Sequence, residues 1–181
     1  MASFSNPASQ AKANAAAYVK SLMDLLGDRD PFEVQSQHFA VLQAEIAGID
    51  DAVLRRPEKP GKWSIMQVIQ HLADSEVVYR YRIRKILAQP APDIQGYDQD
   101  LWATNLNYNE MDLREALEII RVLRAANLKM LRGLNETQLE RYGLHNERGP
   151  ESVRKILQMI AGHDILHLNQ IRRIKKAHGI G

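Results

Sequence analysis

The sequence predicts an all-α fold, a bundle of four main amphipathic helices with an extra helix at the N-terminus. Apolar residues recur with helical period along four long segments. No stretch shows the alternating, β-branched pattern of strands bounded by turn residues. Capping signals also stand where the apolar periods begin. The 181 residues, 45% of them hydrophobic, can bury one core of domain size. Residues 1–31 read as an extension with one helix and residues 32–181 as the bundle.

After an unwound start, Lys12 to Leu26 forms a helix stopped by Gly27, with Asp28 to Pro31 as a turn. A second helix is expected from about Phe32 to Leu54, with Phe39, Leu42, Ile46, Ile49 and Val53 on its core face. RRPEKPGKW breaks the chain. Ser64 and Gln67 then read as a capping box, flanked by Trp63 and Val68 as a hydrophobic staple. The helix they open runs to about Leu87 through Ile65, Val68, Ile69, Leu72, Tyr79, Ile83 and Ile86. The long connection QPAPDIQGYDQDLWATNLNYNEM carries turn chemistry throughout. It need not be an ordinary up-down link. Asp112 and Glu115 cap the next helix, which runs through Leu134 with Leu113, Ala116, Leu117, Ile120, Leu128 and Leu131 inward. A loop, RYGLHNERGPES, leads to the last helix, from about Ser152 to Lys176.

Composition narrows the function. A net charge of +2 against 22 acidic residues gives no basic face for nucleic acid, and the RRIKK run at Arg172 to Lys176 reads as a solvated helix end. There is no apolar run of membrane length and no signal-like N-terminus, so a cytoplasmic protein without membrane contact is expected. With no cysteine, a disulfide framework and thiolate ligands are excluded. Any metal must be held by His or carboxylate.

Polar residues on the core stripes carry the functional signal. With Val153 set at zero and about 100° per residue, His163 falls near 280°, His167 near 320° and Asp164 near 20°. That is the arc occupied by Ile156, Leu157, Ile160, Leu168 and Ile171. Buried there, each needs a partner. Two His at i and i+4 can converge on one cation, although a satisfied pair of core histidines explains HxxxH alone equally well. His71 lies on the border of its own helical stripe, where a half-buried ring could meet a neighbouring helix. Arg124 and Asn127 also fall inside an apolar stripe.

The segments PGKWSIMQVIQHLADSE, LRAANLKML and GLHNERGPESVRKILQMIAGHDILHLNQI resemble the DinB family of metal-binding four-helix-bundle proteins, over most of the chain. The family includes bacillithiol and mycothiol S-transferases. The resemblance implies a DinB-like four-helix bundle, often a homodimer, with a divalent metal at one end held by His71, His163 and His167.

Three neutral imidazoles leave the full charge on an ion and leave coordination positions open, as catalytic sites do. Zinc or nickel is expected, with iron, cobalt and manganese also compatible. Asp164 follows His163 where the HExxH metalloproteases place a general base, but it reads better as a partner of a ligand His or of Arg124. Asn127 could orient a substrate or bond a buried partner. His145 is expected to be exposed, on a loop that could reach the metal end. Tyr97, Trp102 and Tyr108 could wall a pocket or close the core. No catalytic residue is nominated. Three readings stay open for a small-molecule substrate: transfer of a low-molecular-weight thiol, metal-dependent hydrolysis, and a metal-binding stress-response role without turnover.

Overall fold

The structure is a computed structural model that describes the backbone of residues 8–180 and the side chains of residues 15–180. Helix α1 (Ala8–Leu26) begins a turn ahead of Lys12 and ends at Gly27, whose φ of 58° no β-carbon favours. The unwound start expected before Ala8 lies outside the described residues.

Asp30 caps α2 (Pro31–Ile46) by accepting from the Phe32 amide at 2.9 Å. The expected helix from Phe32 to Leu54 is two helices. Gly48, at φ 72°, takes the chain out of α2, and Asp50 stands at the N-cap of α3 (Asp51–Leu54). Ser64 and Gln67 form the capping box of α4 (Ile65–Ala88), with bonds of 3.2 and 2.9 Å. The long connection is structured: strand β1 (Asp93–Ile94), helix α5 (Gln99–Asn105) capped by Asp98, and a 3-10 turn at Tyr108–Glu110. Asp112 caps α6 (Leu113–Arg132). A short α7 (Glu136–Leu139) follows, then β2 (Tyr142–His145), β3 (Gly149–Ser152) and α8 (Val153–Ala177), whose cap is Ser152.

The strands were not foreseen. β1 pairs in parallel with β2, Ile94 opposite His145, and β2 pairs antiparallel with β3. Two connections that read as loops are therefore joined into one small sheet.

Helices α2, α8, α4 and α6 pack as a cycle in that order, and α1 lies outside it against α8. Helix pairs α2/α4 and α6/α8 consequently face each other across the diagonal, although α4 and α6 are direct neighbours. One apolar cluster gathers Leu42, Ile69, Ile120 and Ile171. A second gathers Ile83, Ile86, Leu131, Ile156 and Leu157. Along α4, α6 and α8 the polar residues Glu76, Arg124, Asn127, His163, Asp164 and His167 stand between these two clusters, all buried. Among the described residues no helix is long and apolar enough to cross a membrane.

Candidate metal centre

The polar layer opens on three histidines. His71 comes from α4, and His163 and His167 come from successive turns of α8. The Nε2 atom of His163 lies 3.0 Å from Nε2 of His71 and 3.1 Å from Nε2 of His167. His71 is 1% exposed rather than half-buried, with the Trp63 ring on one side and the His163 and His167 rings of α8 on the other. Its neighbour one turn along α4, Ser75, is within 3.4 Å of the Tyr97 hydroxyl.

Burial lowers the pKa of all three rings: His71 and His163 lie well below the usual value, with His167 adding to the effect on both, and His167 itself falls to about 4. They are neutral at pH 7. His167 donates from Nδ1 to Oε1 of Gln170 at 2.8 Å, which leaves the lone pair on Nε2. A single ring nitrogen on His163 can offer only one donor or one acceptor, yet it faces two others. One cation about 2.0–2.1 Å from each nitrogen would satisfy all three. The donor set therefore fits a divalent ion of borderline softness.

Behind the histidines lies a buried ion cluster. Arg124 holds Asp164 with two bonds, Nη1 to Oδ2 at 2.5 Å and Nη2 to Oδ1 at 2.9 Å. It also donates from Nε to Glu76 at 2.7 Å and from Nη1 to the Gln35 carbonyl at 3.3 Å. Burial alone would lower the arginine's pKa, but Asp164 and Glu76 outweigh it and keep the side chain charged. Burial pushes the Glu76 carboxyl up, against the pull of Arg124. Asn127 donates to Glu76 at 3.3 Å and accepts from Arg80 and Arg84. It bonds buried and half-buried partners within the bundle.

Two buried residues near the centre lay outside the sequence reading. Glu76 is one. The other is His38 of α2, 2% exposed, whose Nδ1 stands 3.6 Å from Asp164. Burial takes its pKa down to about 4, with Asp164 opposing. The aromatic residues divide by role. Trp63 packs against the first apolar cluster, as a staple should, and its ring also lies 5.1 Å from that of His71. The Tyr79 ring meets His163 edge-on at 6.1 Å. Tyr108 is fully buried and donates to Asp74, while Tyr97 packs on Trp102 at 4.5 Å. His145, expected to be exposed, is 3% exposed. Strand pairing of β2 on both sides turns its ring inward.

A helical bundle with three converging imidazoles, taken from two of its helices beside a buried ion cluster, defines a candidate metalloprotein. The DinB superfamily model matches residues 36–171, and the chain belongs to that superfamily. A relative in Oceanobacillus iheyensis, named "Putative metal-dependent hydrolase", is 30% identical over 75% of this chain and 78% of its own length. YfiT of Bacillus subtilis, named in the same words, is 25% identical over 74% of this chain and 78% of its own. The solved structure of YfiT, described as having "an unusual four-helix bundle topology", matches with a TM-score of 0.75 at 21% identity, covering all of this chain and 94% of that one. That likeness shows the fold.

Proposed function

We propose that this chain is a metal-dependent hydrolase that holds one divalent ion on His71, His163 and His167. The observation that carries the reading is the convergence of three buried, neutral Nε2 atoms on one point. An ion held there would supply an open Lewis acid that lowers the pKa of a water. Gln170 fixes the tautomer of His167. The rings of Trp63 and Tyr79 pack beside His71 and His163. Arg124 occupies both oxygens of Asp164, which ties α8 to α6. The names of the relatives favour the same chemistry.

Thiol transfer is the second reading, and one observation favours it. Both carboxylates of the polar layer, Glu76 and Asp164, are bound to Arg124, so neither is a ready base for water. A low-molecular-weight thiol, more acidic than water, would need less help. The thiol would come from outside, as the chain has no cysteine. A chain without cysteine also suits a reducing, cytoplasmic setting.

The test is metal content per chain, by plasma mass spectrometry on protein purified without a His tag, for the wild type and His167→Ala. About one ion per wild-type chain, lost in the variant, is expected. Wild-type protein that stays empty after incubation with zinc and nickel would refute the reading. On loaded protein, metal-dependent cleavage of ester or amide probes supports hydrolysis. Conjugation of a small thiol to an electrophile without such cleavage replaces it by transfer. Neither activity, with strong destabilisation by chelators, leaves the metal a structural role.

A further inference from the structure

We propose that the chain carries a carboxylate-binding pocket beside the metal centre, built from Arg82 of α4, Arg148 of the hairpin turn and His145 of β2. His145 accepts from the Glu147 amide at Nδ1, 3.2 Å away. On a neutral ring the proton then sits on Nε2, and Nε2 has no partner. A buried N–H without an acceptor is costly.

The charged groups whose fields reach the His145 ring are Arg148, Arg82, Glu151 and Lys155. Three are cations and cannot accept. The fourth, Glu151, already gives both oxygens to Arg148, at 2.6 and 2.9 Å. Arg82 is 5% exposed. It donates to the Gln95 carbonyl at 2.7 Å and lies 5.9 Å from the Tyr97 ring, but it pairs with no carboxylate among the described residues. A guanidinium so deeply buried without a counter-charge is expensive. Glu151 balances Arg148, which leaves Arg82 unbalanced in the buried set. The complement to one unbalanced cation and one orphaned N–H is an acceptor-only group of single negative charge, a carboxylate. A phosphate dianion would overshoot.

The pocket adjoins the metal centre through one side chain. Tyr79 meets His163 edge-on, and its hydroxyl feels Arg148, Tyr97, Arg82 and Glu151. A small molecule anchored by its carboxylate on Arg82 and His145 would extend past Tyr79 towards the three histidines. That the anchored molecule is the substrate rests on the proposed function. The pocket itself does not.

The experiment titrates sodium butyrate, butyramide and inorganic phosphate onto the full chain, metal-free and zinc-loaded, by calorimetry, and follows the ¹⁵N resonance of His145 Nε2. Butyrate is expected to bind both forms and to shift that resonance, butyramide to do neither, and phosphate to bind more weakly than butyrate. Arg82→Gln should weaken butyrate at least about tenfold while keeping the wild-type metal content. Butyrate that binds only the zinc-loaded form, that leaves His145 unmoved, or that binds no better than the amide or phosphate would overturn the proposal. So would undiminished affinity in Arg82→Gln. If that variant does not fold, the resonance of the wild type decides alone. Failure to take up metal would sink the proposed function without touching these outcomes.

Discussion

Arg124 is the residue on which most of the polar layer depends. It is one cation between two buried carboxylates, and removing one partner of a buried pair leaves uncompensated charge. Arg124→Ala should therefore lose about 3–5 kcal/mol in urea denaturation. Replacing all three by apolar residues (Arg124→Met, Glu76→Met, Asp164→Leu) should recover most of the loss. If the triple variant is as unstable as the single one, the cost is lost packing and not stranded charge. The layer was partly legible in the chain. HxxxH on an apolar arc pointed to His163 and His167, and Asp164 and Arg124 stood on stripes where a charge needs a partner. Glu76 was legible by the same rule and went unread: with Ile65 at zero it falls near 20°, in the middle of the α4 arc. His38 had no such signal, since it borders its stripe and is buried by α8.

Capping chemistry made the long helices readable, because Ser64, Asp112 and Ser152 each mark the residue before an apolar period. Two features escaped. The break at Gly48 is hidden because Ile49 and Val53 carry the apolar period across it. The sheet is hidden because strands of two to four residues have too few positions to alternate, and β1 and β2 are held by pairing across some fifty residues of chain. The basic run near the C-terminus is the solvated helix end expected of it, with Arg172, Arg173 and Lys176 exposed, and it adds surface pairs of Arg172 and Lys175 with Glu45 and of Arg173 with Glu58. At the level of helix packing, α1 comes close to α8 at Gly162. A β-carbon on Gly162 would stand 2.2 Å from the backbone oxygen of Leu22, so α1 could not keep its place. Gly162→Ala should cost about 1–3 kcal/mol, read as a fall in thermal midpoint. A variant as stable as the wild type would mean that α1 shifts freely along its neighbour.

The whole molecule buries several histidines as neutral rings, and this sets its response to acid. His38, His145 and His167 have folded pKa values near 4, depressed first of all by burial, against about 6.5 in an unfolded chain. Between those values the unfolded state binds more protons, so stability rises with pH across that window and is flat above it. Urea midpoints of the metal-free chain should hold steady from pH 7 to 8.5 and fall progressively from pH 6.5 towards 4. A midpoint unchanged down to pH 5 would contradict the burial of these rings. One more property follows from the reach of Arg124, which bonds α2 through Gln35, α4 through Glu76 and α8 through Asp164 from its own place on α6. No one of the four helices can peel away without leaving a charge or carbonyl of the others unanswered. Their amides should thus exchange with solvent deuterium at one shared opening free energy, while α1, outside this knot, opens at a lower one.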